Sequence, residues 1–313
     1  MPNFSISDSI LQPDILSPYP DTEDLAGGAF TMFAPAKINL GLRVLFRRPD
    51  GFHEIETLFQ EISWTDRLEF YPAESWSLEV RGIDLDAGPE NLVTRAAHEL
   101  SREAGVPCRG QVVLQKEIPL GAGLGGGSSN AAVALVGLSR LWGLKWNRER
   151  LRTVAQRLGS DCVFFLYGGL ARGSGRGEII EPLEGRFEGE VVLVMPDYGI
   201  STAWAYNAGE FPLTQVEESV IFRFCRNDRA FLQGIPDYIH NDLENIVLCR
   251  YPELGDIKDC LLRAGAETAL ISGSGSTVFG IFRERSRAMQ AAQRFEKPLR
   301  ARVCRMVARS REF

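Results

Sequence analysis

The sequence predicts an α+β fold in two domains, on three observations. Strand-like and helix-like segments are mixed without the strict alternation that a doubly wound parallel sheet requires. Five glycines between Pro119 and Ser129 lead directly into a helical pattern. A polar, glycine-bearing stretch, Glu184-Gly185-Arg186-Phe187-Glu188-Gly189, interrupts the chain and places the domain boundary, giving domains of residues 30–186 and 187–313. The 313 residues are enough for two packed domains.

Residues 1–29 hold Pro2, Pro13, Pro18 and Pro20 among Asp8, Asp14, Asp21, Glu23 and Asp24, and read as a poorly ordered extension. They carry no Lys or Arg, so neither a secretory signal nor an Arg-rich transit peptide fits. Order is expected from Phe30. Thr31–Ala34 reads as a strand, and Ile38, Leu40, Leu42, Val44 and Phe46 recur at the period of a half-buried one. Arg48-Pro49-Asp50-Gly51 is a turn, and Phe52–Trp64 and Arg67–Tyr71 supply further strands. Leu92, Val93, Ala96, Ala97 and Leu100 have helical spacing behind a capping Asn91. A strand at Gln111–Gln115, the glycine loop, a helix from about Ser128 to Leu141 and another from about Asn147 to Leu158 complete this half. Beyond the boundary come a strand (Glu190–Met195), helical stretches at Thr214–Leu232 and Pro252–Arg263, and strands at Thr268–Ser272 and Thr277–Arg283. A helix (Arg285–Phe295) and a last strand (Ala301–Val307) follow.

Composition narrows the function. The formal net charge of −6 argues against a general nucleic-acid binder, and the late basic residues (Arg294 to Arg311) are irregularly spaced, as on a solvated surface. Six cysteines form no C-x-x-C pair, and His53, His98 and His240 are scattered, so no disulfide framework or zinc site is expected. No apolar run reaches membrane-spanning length. The expectation is a cytoplasmic protein with neither nucleic acid nor membrane as partner, a monomer or homodimer.

The glycine loop carries the chemistry. Its glycines allow positive φ and close backbone approach, and a helix start offers unpaired N–H groups and partial positive charge to an anion. A P-loop needs Lys before the Ser, yet Gly127 precedes Ser128. A dinucleotide fold runs a strand straight into the turn, whereas Lys116-Glu117-Ile118-Pro119 intervenes here. Neither His-Arg-Asp nor Asp-Phe-Gly occurs, which excludes a protein kinase.

The stretch Pro119-Leu-Gly-Ala-Gly-Leu-Gly-Gly-Gly-Ser-Ser129 resembles the phosphate loop of the GHMP kinases. Ala34-Pro-Ala-Lys-Ile-Asn-Leu40 before it and Ile271-Ser-Gly-Ser-Gly-Ser-Thr-Val-Phe-Gly280 after it extend the resemblance in order, from about Phe30 to the C-terminus. The resemblance implies a nucleotide-binding N-terminal domain and a smaller ferredoxin-like C-terminal domain. It implies ATP held by Pro119, Leu120, Gly121, Ala122, Gly123, Leu124, Gly125, Gly126, Gly127, Ser128 and Ser129. Mg²⁺ is implied with it; no carboxylate cage is evident, so Ser128 or Ser129 would offer a ligand.

Taken alone, Asp161 is a helix cap and Lys37 a snorkelling surface residue. Within the resemblance Asp161, in Leu158-Gly-Ser-Asp-Cys-Val-Phe-Phe165, is the catalytic base, although Cys162-Val163 stands where the family branch has Val-Pro. Lys37 is then the facing cation that stabilises the developing alkoxide and phosphoryl oxygens. Further stretches (Arg48–Phe59, Gly173–Glu178, Gly199–Tyr206 and Asn241–Asn245) resemble the branch that phosphorylates the 2-hydroxyl of a cytidine diphosphate methylerythritol. That likeness implies cytosine stacked on Phe52 with His53 at its edge, Tyr206 over the opposite face, and Asn39 and Phe59 lining the pocket. A kinase of the homoserine or mevalonate type, a catalytically silent nucleotide-binding regulator and, more distantly, a dinucleotide-dependent oxidoreductase are the alternatives.

Overall fold

The computed structural model describes residues 22–183, 189–209, 211 and 240–308. Two long antiparallel strands, β2 (Phe30–Arg47) and β3 (His53–Tyr71), form the spine of the first sheet. Each merges two strands expected separately; bulges at Pro35/Ala36, Asn39/Gly41 and Val44/Phe46 let β2 bend without breaking. β1 (Thr22–Asp24) pairs with the start of β2, so the ordered sheet begins before Phe30 and includes the last part of the expected extension. β4 (Trp76–Arg81) runs parallel to β5 (Gly110–Gln115), connected through α1 (Leu92–Ala104), which Asn91 caps by accepting from the Val93 N–H.

One edge of β3 serves two partners: β5 along Arg67–Tyr71 and β6 (Leu170–Ser174) along Thr57–Gln60. β7 (Ile179–Leu183) completes the sheet beside β6. Helices α2 (Gly126–Leu141), α3 (Arg148–Leu158) and α4 (Ser160–Tyr167) belong to this half. α2 is buried almost all round, and a Cβ on Gly137 would fall 2.3 Å from the Phe70 ring, which shows how closely helix and sheet meet.

The second sheet has the order β11 (Arg300–Arg305), β8 (Glu190–Met195), β10 (Val278–Phe282), β9 (Thr268–Ile271), all antiparallel. With α5 (Thr202–Asn207), α6 (Glu244–Arg250), α7 (Glu253–Arg263) and α8 (Arg285–Ala292), this is the ferredoxin-like arrangement expected. The sequence region expected as a helix at Thr214–Leu232, and the break at 184–188, lie outside the described residues.

Backbone contacts stitch the halves together. Met306 bridges to Ile62, the Val307 N–H donates to the Glu61 carbonyl at 3.0 Å, and Leu42 bridges to Asn241. The middle of β2 is therefore covered on both faces, and Ala34 to Leu42 is buried continuously; the half-buried alternation expected of Ile38–Phe46 survives only beyond Leu42. No helix among the described residues is long and apolar enough to cross a membrane.

Candidate active site

A cleft of about 610 Å³ opens where the two sheets meet, and the glycine loop forms one wall. Gly121, Gly123 and Gly125 adopt positive φ. A Cβ on Gly123 would lie 2.0 Å from the Ser272 carbonyl oxygen, and one on Gly125 would lie 3.0 Å from the Lys37 side chain, so space as well as conformation demands glycine. α2 starts at Gly126, two residues earlier than expected, because left-handed Gly125 acts as the cap without a side chain. The Ser129 N–H is bonded to the Gly125 carbonyl at 2.9 Å. The N–H groups of Gly126, Gly127 and Ser128 have no intrahelical partner, and these residues line the cleft. Pro119 to Ser128 all line it. Ser129 does not: it is wholly buried and its hydroxyl has no partner among the described residues.

Beside the loop, β2 presents Lys37, whose N–H donates to the Leu124 carbonyl (3.0 Å), and the first turn of α4 presents Asp161. Their side chains approach to 3.3 Å (Lys37 Nζ to Asp161 Oδ2). The Lys37 side chain is 5% exposed and that of Asp161 31%, so the carboxylate is the more open of the two to the cleft. A relay fixes the lysine. Its ammonium donates to Asn39 Oδ1 (2.6 Å), Asn39 Nδ2 donates to the Thr57 hydroxyl (2.8 Å), and that hydroxyl donates to the Gly41 carbonyl (2.7 Å). The Phe59 ring lies 5.5 Å from the ammonium, buried against Phe164. The helix α4 forms without the Val-Pro pair, and Cys162 and Val163 are wholly buried in it. Burial pushes the Cys162 thiol up to about 12, and the thiol is hydrogen-bonded with the Ser128 side chain.

The second glycine turn closes on the first. The Asn39 N–H donates to Ser272 Oγ (3.3 Å), which donates to the Gly123 carbonyl (2.9 Å). Asn241 Nδ2 holds the base of the turn by donating to the carbonyls of Ile271 (2.9 Å) and Gly273 (2.7 Å). Gly273 and Ser274 line the cleft.

Phe52, His53 and Tyr206 stand in the same cleft beyond Asp161. Phe52 is 54% exposed, which leaves a ring face available, and the Arg176 guanidinium lies 4.7 Å from that ring. Tyr206, which the resemblance puts over the opposite face of a bound cytosine, lies on α5 and stacks on His53 with centroids 5.4 Å apart. Burial, followed by the nearby Arg47 charge, lowers the His53 pKa and favours the neutral ring at pH 7. Burial, then Asp161 and Asp242, raises the Tyr206 phenol.

Sequence reading therefore brought Lys37, Asn39, Phe52, His53, Phe59, the loop through Ser128, Asp161 and Tyr206 to one cleft. It missed the supports Thr57, Ser272 and Asn241, and it missed Arg176. Arg176 had a signal, a lone cation between glycines in Gly173–Glu178; Thr57, Asn241 and Ser272 lie in stretches that carry the resemblance, but their partners come from the tertiary fold and not from local spacing.

The chain matches the family model for the GHMP kinases N terminal domain over residues 91–169 and that for the GHMP kinases C terminal over residues 225–301. It is 43% identical to a 4-diphosphocytidyl-2-C-methyl-D-erythritol kinase from Pelotomaculum thermopropionicum, over 85% of this chain and 94% of the relative. A protein of the same name from Syntrophotalea carbinolica is 40% identical, over 84% and 93%. A crystal structure of 4-(cytidine 5'-diphospho)-2C-methyl-D-erythritol kinase superimposes with a TM-score of 0.74 and 35% identity, covering 88% of this chain and 98% of that one. The homoserine kinase from Cytophaga hutchinsonii, at 18% identity and a TM-score of 0.66, shares the fold. With a glycine cradle, a lysine–carboxylate couple and a ferredoxin-like second sheet in one frame, and relatives at this identity across most of its length, the chain belongs to the GHMP kinase family.

Proposed function

We propose that this protein transfers the γ-phosphoryl group of ATP to the 2-hydroxyl of 4-diphosphocytidyl-2-C-methyl-D-erythritol. The observation that carries the reading is the Lys37–Asp161 pair, 3.3 Å apart, set between the glycine cradle and an exposed aromatic with a neutral histidine. Relatives that bear this enzyme's name, at 38% to 43% identity, support the choice of acceptor.

Phosphoryl transfer needs in-line positioning and charge stabilisation more than covalent help. The first N–H groups of α2 and the loop backbone receive the ATP phosphates. The acceptor hydroxyl lies at the exposed side of Asp161. As its oxygen bonds to the γ-phosphorus, the proton passes to the Asp161 carboxylate, and the bond to the bridging oxygen breaks, leaving ADP with the electron pair. Lys37 stabilises charge on the attacking oxygen and on the moving group. The methyl branch makes this hydroxyl tertiary and hindered, so a fixed base and cation matter more than for a primary alcohol. Cytosine stacks on Phe52, and neutral His53 pairs with its edge.

No group of three His, Cys, Asp or Glu residues among those described is arranged to hold a metal. The Ser128 hydroxyl, at the cleft, fits a Mg²⁺ held mainly by phosphate oxygens, where it would neutralise phosphate charge. Ser129 is turned into the core and does not fit that role as it stands.

The test is ADP release with three acceptors: the cytidine diphosphate methylerythritol, mevalonate and homoserine. Release is expected with the first alone. Faster release with either of the others would replace the acceptor assignment, and ATP binding without release on any would favour a silent regulator.

A further inference from the structure

Asp66 takes no part in the chemistry above, yet it is the most heavily coordinated carboxylate around the nucleotide loop. It is wholly buried, at the fork where the β3 edge leaves β5. The last rung of that ladder is Arg67 with Gln115; one residue on, the Asp66 side chain takes over from the backbone. Its Oδ1 accepts from the N–H groups of Glu117 (2.7 Å) and Ile118 (2.8 Å), and its Oδ2 accepts from Asn130 Nδ2 (2.8 Å) and pairs with the buried Lys116 ammonium. Three of these donors stand at the entry of the phosphate loop, and the fourth is on the second turn of the helix that ends it.

Lys116 is packed against the start of that helix: a Cβ on Gly126 would lie 2.8 Å from its Nζ. Burial lowers the Lys116 pKa, and Asp66 opposes that shift. The neighbouring Glu117 accepts from Trp64 Nε1 (3.3 Å) and pairs with Arg302 of the second sheet (3.4 Å), whose guanidinium lies 4.6 Å from the Trp64 ring.

A buried ion pair is poor evidence of a stabilising role, because apolar replacements are often neutral or better. Here every donor to Asp66 stands on the loop stem or on α2. A cradle of glycines has high intrinsic freedom, and a ligand that must first order it binds more weakly. We propose that Asp66, with Lys116 and Asn130, is a positioning residue of the nucleotide site: it spans the two ends of the phosphate loop and holds the first turn of α2 in its anion-receiving geometry. This rests on the kinase reading for the identity of the ligand.

Titration calorimetry on the full chain tests it with two probes, ADP for the loop and cytidine 5'-diphosphate for the acceptor end. The variants are Asn130→Ala, which removes one arm, and the double change Asp66→Asn with Lys116→Met, which removes both charges together. The ADP dissociation constant is expected to rise about tenfold in the double variant and about threefold in Asn130→Ala, with cytidine diphosphate binding changed less than about twofold. Parallel weakening of both probes would show a merely structural role and overturn the proposal, as would unchanged ADP binding. If the double variant does not fold, Asn130→Ala decides by the same ratio. Failure of the unmodified protein to bind cytidine diphosphate would count against the acceptor assignment and leave the ADP comparison as the test of Asp66.

Discussion

The two ends of the cleft are built differently. The phosphate end is made of backbone: positive-φ glycines, free helix N–H groups and a buried network beneath them. The acceptor end is made of side chains on the surface of a hairpin and a short helix, with Phe52 more than half exposed. In the proposed reaction the first end receives the ATP phosphates, a charge that backbone N–H groups suit. The second is the proposed seat of one base, and it rests on side chains rather than on the backbone frame. Between them stands the Lys37–Asp161 couple, 3.3 Å apart, to which the proposed mechanism gives the proton transfer and the charge stabilisation.

That division is sharpened by variants that separate rate from binding. Asp161→Asn and Lys37→Met are each expected to lower kcat by about two to four orders of magnitude while ADP affinity stays within a few-fold, measured by steady-state kinetics and calorimetry. Loss of ADP binding in step with kcat would place these residues in the phosphate end instead. Gly123→Ala should strike that end alone. Its positive φ and the 2.0 Å approach of a Cβ to the Ser272 carbonyl force the two glycine turns apart, so KM for ATP is expected to rise more than about tenfold. An unchanged KM for ATP would show that the turns need not touch.

At the acceptor end, Phe52→Ala is expected to raise the acceptor KM about tenfold, as loss of a stacked base should, with KM for ATP unmoved. The smallest effect is that of pH. His53 has a lowered pKa, so its ring is neutral at pH 7.5 and gains a proton only below the ordinary histidine range. Protonation replaces an acceptor nitrogen with a donor, so acceptor affinity should fall as pH drops through that value and should stay flat in His53→Gln. A fall of the same size in the variant would assign the titration elsewhere.

The same contrast explains what could be read from the sequence. Glycine at Gly121, Gly123 and Gly125 records a positive-φ backbone that side chains rarely adopt, so the turn that walls the cleft is legible in the sequence. Ser129 misled because adjacency in sequence suggests a shared role, whereas a helix turns successive residues about 100° apart and carries Ser129 into the core. α4 gave no helical period because Cys162 to Leu166 is buried on every side. Asp66 and Lys116 were invisible for a different reason: charged residues at strand ends read as solvated, and only the fork in the sheet buries them together. Tyr206 lines the cleft, but its stacking on His53 is not readable from the sequence, since it depends on where α5 docks.

The central claim is that both ends of the cleft serve one acceptor oxygen. Phosphorus NMR of the full chain with ATP, Mg²⁺ and the cytidine diphosphate methylerythritol tests this directly. The account requires one new phosphomonoester signal growing in step with ADP while the acceptor's own diphosphate pair persists. ADP accompanied only by inorganic phosphate, or loss of that diphosphate pair, would contradict it.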